Sequence, residues 1–185
     1  MGQYCYLFDA SALVALLLKN PDGDVKIAKG KILKLLANGR KNENSLFFVP
    51  NICMAEVSSA LAKIFLADGY TEQRENSYRQ HVEFLLEWVS SKKRHVIQTY
   101  ALKRSHLVDI EHIFIADRKL PGRKGNPLSG HDGIIIAMGR VLGRTYGNGN
   151  VIILTLDGRM ADVCVHNRDF FPHAIDLARQ EIPGA

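Results

Sequence analysis

Two short apolar runs, each closed by an aspartate, constrain the fold of this chain more than any other feature. They are YLFDAS at 6–11 and VIILTLD at 151–157. Both runs are rich in strand-forming residues, and helix-like sequence follows each aspartate directly. Strands that are apolar on both faces are typical of a parallel sheet covered by helices on either side. The two runs therefore predict adjacent central strands that bring Asp9 and Asp157 to one edge of such a sheet.

The remainder of the chain alternates between strand-like and helix-like segments. Further strands are predicted over 45–50, 95–99 and 174–177, and helices over 10–18, 22–40, 52–67, 71–91, 101–116, 131–142 and 159–166. We expect Asn51 to cap the helix over 52–67. This alternation predicts an α/β fold with a mainly parallel sheet of four or five strands flanked by helices. A length of 185 residues favours one domain over 1–185.

Composition limits the environment and the partners of the chain. The three cysteines, Cys5, Cys53 and Cys164, are far apart and lie in apolar segments, which predicts reduced core thiols in a cytoplasmic protein. No basic signal-peptide start and no uncharged run long enough to cross a bilayer is present, so we expect no membrane association. The net charge of +5 is compatible with a polyanionic partner, although many basic proteins never bind nucleic acid.

Four carboxylates occupy positions that can converge. Asp9 and Asp157 end strands, Glu56 lies in the first turn of the helix after the second strand, and Asp132 opens an Ile-rich helix. Helices that follow parallel strands begin at the same edge of the sheet, where ligands bind. Each acid also has a simpler explanation as a helix cap or a first-turn acid. Two carboxylates about 4 Å apart repel by about 4 kcal/mol at an effective dielectric near 20, so a convergent cluster needs a cation, and oxygen ligands suit a hard divalent ion.

The segments around these acids resemble, in the same order, the motifs of the PIN-domain ribonucleases, especially the VapC-type toxins of toxin–antitoxin systems. The matching segments are FDASAL at 8–13, MAEV at 54–57, HDGIIIA at 131–137 and LTLD at 154–157. The resemblance implies a PIN-like fold and an endoribonuclease that uses Mg²⁺ or Mn²⁺. Carried over, it makes Asp9, Glu56, Asp132 and Asp157 the metal-binding and catalytic cluster, and it makes Ser11 and Thr155 polar supports.

The resemblance also implies partners for the chain. A toxin of this kind cleaves RNA, is silenced by a cognate antitoxin and commonly forms a homodimer. The apolar residues that we expect at the dimer interface lie over 64–66 and at Phe84, Leu85, Trp88 and Val89. Compared with the simplest VapC-type domains, the helices over 22–40 and 71–93 and the basic loop over 118–130 look like elaborations. Because this loop leads into Asp132, we expect its cations, Arg118, Lys119, Arg123 and Lys124, to contact RNA.

Other functions agree less well with the sequence. A haloacid-dehalogenase-like phosphatase needs a second aspartate two residues after the first, and Ser11 stands there. A receiver domain needs an acidic pair before its phosphoacceptor, which Asp9 lacks. No zinc spacing, nucleophile elbow or Gly-rich phosphate loop is present. Two alternatives stay open within the PIN fold: a housekeeping RNA-processing nuclease, and a catalytically silent RNA-binding or scaffold module.

Overall fold

The computed structural model of the chain describes residues 3–39, 45–90, 97–108, 110–121 and 126–183. The strands are β1 (Tyr4–Phe8), β2 (Ser45–Pro50), β3 (Ile97–Tyr100), β4 (Val151–Thr155) and β5 (His173–Asp176). The helices are α1 (Ala10–Leu17), α2 (Gly23–Gly39), α3 (Cys53–Leu66), α4 (Glu72–Ser90), α5 (Arg104–Leu107), α6 (Ile110–Lys119), α7 (Gly130–Tyr146) and α8 (Gly158–His166). A 3-10 turn at Asn148–Asn150 joins α7 to β4.

The strands form one parallel sheet in the order β3-β2-β1-β4-β5. In its register Phe8 lies beside Leu154, and Leu154 lies beside Ile175. The predicted α/β fold with a parallel sheet is therefore confirmed, as are the central, adjacent places of β1 and β4. The chain moves outward from β1 through β2 to β3 and then returns to β4. The carboxyl ends of β1 and β4 thus flank the topological switch point, the usual ligand crevice of such sheets.

The apolar runs form the centre of the core because no face of these strands meets water. Every residue of β4 and every residue of β1 after Tyr4 is buried, and the side chains of α1, α3, α7 and α8 cover the sheet. Burial of apolar surface stabilises such a core by about 25 cal/mol per Å². The same strands that fix the core therefore fix the position of the residues just beyond their ends.

The predicted capping role of Asn51 is wrong. Its side-chain Oδ1 accepts a hydrogen bond from the backbone N–H of Leu102 at 3.0 Å, and its own N–H donates to the carbonyl of Tyr100 at 3.0 Å. Helix α3 begins after Ile52 without a side-chain cap. Since β2 and β3 end side by side, Asn51 satisfies backbone groups of the neighbouring strand rather than those of the helix.

The segment after β3 also differs from the prediction. The single helix expected over 101–116 is two helices, α5 and α6, and the second runs on to Lys119. Arg118 and Lys119 therefore lie in the last turn of α6 and not in a loop. Arg123 and Lys124, with the central part of the predicted basic loop, lie outside the described residues. None of the described helices is both long and apolar enough to span a membrane.

Candidate active site

Asp9 lies at the switch point and is the most buried carboxylate of the predicted cluster. It follows β1 directly, is 4% exposed and caps α1. Its Oδ1 accepts a hydrogen bond from the N–H of Ala10 at 2.6 Å, and its Oδ2 accepts from the hydroxyls of Ser11 at 2.7 Å and Thr155 at 2.8 Å. All three bonds favour the charged form of Asp9. No described residue forms an ion pair with it.

The hydroxyls of Ser11 and Thr155 have fixed hydrogens because each also accepts a backbone hydrogen bond. Ser11 Oγ accepts from the N–H of Leu156 at 2.9 Å, and Thr155 Oγ1 accepts from the N–H of Asp157 at 2.9 Å. The one hydrogen of each hydroxyl is then directed at Asp9 Oδ2. These two residues join the end of β1 to the end of β4 and hold the Asp9 carboxylate in one orientation.

Asp157 stands two residues past β4 and caps α8. Its Oδ1 accepts from the backbone N–H groups of Arg159 at 2.7 Å and Met160 at 3.2 Å. The simpler explanation of Asp157 as a helix cap therefore describes its Oδ1, and no described residue donates to its Oδ2. The backbone of Asp157 is tied to Asp9 through the hydroxyl of Thr155. A capping role and a place at the site are thus compatible for this residue.

Glu56 and Asp132 approach Asp9 from two other helices. Burial raises the pKa of the Asp9 carboxyl, its hydrogen bonds oppose this effect, and the charge of Asp132 adds to it. Burial also raises the pKa of Glu56, and the charges of Asp9 and Asp132 raise it further while His131 lowers it. The structure therefore brings Asp9, Glu56 and Asp132 close enough for mutual repulsion, at the carboxyl edge of the sheet.

The cap of α7 determines how Asp132 is held. Asp132 is the third residue of this helix, and its Oδ2 accepts from the N–H of Ser129 at 2.8 Å while Ser129 Oγ accepts from the N–H of Asp132 at 3.2 Å. This reciprocal capping box fixes the side chain. Ser129 was absent from the predicted site, although a Ser three residues before an acid at a helix start was a readable signal. Glu56 is half-buried in the first turn of α3 and makes no hydrogen bond with a described residue.

The chemistry of this donor set fits a hard divalent cation. Its members are carboxylate and hydroxyl oxygens, the ligands that Mg²⁺ and Mn²⁺ prefer. A cation would also offset the repulsion and desolvation that raise the pKa values of Asp9 and Glu56. Within the described ranges, no three His, Cys, Asp or Glu side chains are arranged to hold a metal ion as they stand. Binding would therefore require the Glu56 and Asp132 side chains to move toward Asp9.

A buried ion pair next to the site was only a minor candidate in the sequence. Asp117, on α6, is 1% exposed. Arg159 Nε donates to its Oδ1 at 2.6 Å, and Arg159 Nη2 donates to its backbone carbonyl at 3.0 Å. Asp117 had been considered as an accessory acid; it is instead occupied by Arg159 and fixes α6 to the first turn of α8. The spacing of two residues 42 positions apart gives no sequence signal for such a pair.

The thiol of Cys53 lies next to the cluster but has no nucleophilic character. It is fully buried, and its Sγ donates a weak hydrogen bond to the carbonyl of Phe8 at 3.9 Å. Burial, with the charges of Asp9 and Glu56, raises the pKa of this thiol far above its usual range. Cys5 and Cys164 are also buried and unpaired. These thiols pack as small apolar groups.

The sequence matches no protein-family model and no curated protein. Two solved structures are similar to the chain. One is VapBC2 from Rickettsia felis bound to a DNA fragment from its promoter, with 13% identity, a TM-score of 0.48 and coverage of 92% of this chain and 97% of that one. The other is VapC20 from Mycobacterium tuberculosis, a toxin that cleaves the sarcin–ricin loop, with 15% identity, a TM-score of 0.48 and coverage of 84% and 92%. Both are VapC structures, the group that the four acidic segments resemble.

Proposed function

We propose that this protein is a metal-dependent endoribonuclease of the VapC type that cleaves RNA phosphodiester bonds. The observation that carries the proposal is the environment of Asp9. Its carboxylate is 4% exposed, accepts three hydrogen bonds that favour its charged form, and has further carboxylates rather than cations as its electrostatic neighbours. A buried anion without a counter-charge is costly, and a bound cation offsets that cost.

The residues divide the work of such a reaction between them. Asp9, Glu56 and Asp132 would hold Mg²⁺ or Mn²⁺, and Asp157 would complete the set with its Oδ2. A bound ion of this kind stabilises charge on a phosphate and activates water as a nucleophile. Ser11 and Thr155 orient the Asp9 carboxylate through their fixed hydroxyl hydrogens. The crevice position at the β1–β4 switch point leaves room for an RNA strand above these oxygens.

The replacement Asp9→Asn tests the metal mechanism. The amide occupies nearly the same volume and can hydrogen-bond to the two hydroxyls, so we expect the fold to persist while the cleavage of a mixed RNA substrate falls at least about 100-fold. Mn²⁺ affinity measured by calorimetry should fall with it. In the unmodified protein, a chelator should abolish cleavage and added Mg²⁺ or Mn²⁺ should restore it.

The matched control is Asp162→Asn, which changes an exposed aspartate on the outside of α8. This variant should cleave RNA and bind Mn²⁺ like the unmodified protein. Cleavage at the full rate after chelation would contradict the metal mechanism. RNA binding without any cleavage under any metal would favour the alternative of a silent binding module.

Regulation by an antitoxin is part of the same proposal. The carboxylates of the site are suited to an Arg side chain from a partner, because charge-assisted bonds from Arg to carboxylates are strong and geometrically specific. Expression of the chain alone should then arrest growth, and expression of Asp9→Asn should not. Normal growth of cells that contain active enzyme would favour a housekeeping RNA-processing nuclease instead.

A further inference from the structure

A groove with mixed aromatic and cationic walls lies between α6, α7 and the turn after α8. We call it the α6–α8 groove. It has a volume of about 300 Å³, at the lower end of the range for small-molecule sites. Its lining residues are His112, Ile115, Ala116, Lys119, Arg140, Asn167, Phe170 and Phe171. This set, drawn from the described part of the chain, contains two permanent cations and no carboxylate.

The aromatic wall holds one ring outward in a fixed position. Phe171 is 4% exposed and belongs to the core, whereas its neighbour Phe170 is 67% exposed. The N–H groups of both residues donate to the carbonyl of Asn167 at 2.9 Å, and the side chain of Asn148 donates to the carbonyl of Phe171 at 2.9 Å. Because the turn is anchored at both of these points, the Phe170 ring is presented to solvent by a rigid backbone.

The cationic wall connects the groove to the proposed active site. Lys119 is exposed at the end of α6, two residues after Asp117, which binds Arg159 in the first turn of α8. Arg140 lies opposite on α7. Helix α8 starts at the capping residue Asp157 and leads to Asn167 in the groove, and its nine residues span about 14 Å. A strand leaving the site along α8 would therefore reach the groove within a few nucleotides.

We propose that the α6–α8 groove binds single-stranded RNA outside the scissile position, with a base stacked on Phe170 and the adjoining phosphates held by Lys119 and Arg140. This inference rests on the proposed ribonuclease function and extends it to the path of the substrate. An exposed ring beside cations matches a base and its phosphate, the two groups that single-strand binding sites combine. An acidic peptide would use the cations but leave the Phe170 ring without a partner.

The test compares RNA affinity with and without the groove side chains. Fluorescence anisotropy would be measured in the presence of a chelator, so that no cleavage occurs, with single-stranded RNA of about 4 and about 12 nucleotides. Phe170→Ala should weaken binding of the longer RNA roughly 5- to 100-fold and leave the shorter RNA nearly unaffected. Lys119→Ala should weaken it less and reduce the slope of log K against log salt concentration by about 0.7.

Matched controls are Phe84→Ala, a half-exposed ring on α4, and Lys34→Ala, an exposed lysine on α2. Both should bind the longer RNA like the unmodified protein. Equal affinities for Phe170→Ala, Lys119→Ala and the unmodified protein would overturn the groove, even if metal-dependent cleavage is present. Selective loss in the groove variants of a protein that cleaves nothing would support the groove and reject the nuclease. Capture of an acidic peptide, with no change in RNA affinity, would also overturn it.

Discussion

At the scale of single residues, Thr155 shows how little chemistry separates the site from the core. Its side chain is fully buried at the end of β4, yet its one hydroxyl donates to Asp9 Oδ2 and accepts from the N–H of Asp157. Removal of this hydroxyl would leave a buried N–H without its partner and would remove a bond that lowers the pKa of Asp9. Thr155 therefore links the stability of the sheet edge to the charge state of the site.

The replacement Thr155→Val should lower the free energy of unfolding by about 1–3 kcal/mol, since it keeps the shape but loses both hydrogen bonds. If the proposed mechanism holds, the cleavage rate should fall about 10- to 100-fold. Urea denaturation and a cleavage assay measure the two effects.

The control Thr155→Ser separates the hydroxyl from the methyl group. It removes one buried methyl group, at a cost of about 1 kcal/mol, but keeps both hydrogen bonds. We expect its cleavage rate to remain close to that of the unmodified protein. A serine variant as slow as the valine variant would show that packing, and not the hydroxyl, supports the site.

At the scale of secondary-structure elements, α7 is held against the sheet by small residues. A Cβ added at Gly139 would lie 2.9 Å from Pro172 Cγ and 3.2 Å from Ile153 Cδ1. This close approach places α7 directly over β4 and so sets the height of Asp132 above the sheet. Glycine also lowers helix stability, so its presence here trades local propensity for close packing.

The replacement Gly139→Ala should destabilise the protein by about 1–2 kcal/mol, because the cost of overpacking exceeds the gain in helix propensity. The control Gly30→Ala lies on the exposed side of α2, where no atom lies within 4 Å of the new Cβ. It should stabilise the protein by about 0.5–1 kcal/mol. Thermal unfolding of the two variants measures the contrast, and equal shifts of the same sign would contradict it.

At the scale of the whole molecule, the outer surface of α3 and α4 is where a second copy would bind. Of the residues predicted for this role, Leu85 is buried and Phe65 packs on His81, while Ile64 is 49% and Phe84 47% exposed. The side chains of Trp88 and Val89 lie outside the described set. The apolar surface predicted over these helices is thus divided between the core and solvent, and homodimer formation stays a proposal.

Light scattering at about micromolar concentration tests the assembly. We expect the mass of two chains for the unmodified protein and of one chain for Ile64→Glu, because a charge on α3 would be buried at the interface. The control Leu33→Glu changes a residue of similar exposure, 48%, on α2 and should stay dimeric. One chain's mass for the unmodified protein would rule out a stable homodimer under these conditions.

The fold was largely predictable because its strongest signals are local. Apolar runs such as 151–155 form strands wherever they are buried on both faces, and the helices between them impose parallel pairing. The convergence of Asp9, Glu56 and Asp132 followed from that topology before any coordinate was known. The errors fell where a residue had two possible partners, as with Asn51, or where one apolar pattern continued across a break, as between α5 and α6.

The sequence by itself determined the strands, their parallel direction and the edge of the sheet to which the acids belong, since these depend on periodicity and chain connection. Only the tertiary structure decided which partner each polar group takes. It placed the hydroxyls of Ser11 and Thr155 on one oxygen of Asp9, and it joined Asp117 to Arg159. Such contacts join residues far apart in the chain, and their geometry exists only after the core has set the spacing of the elements that carry them.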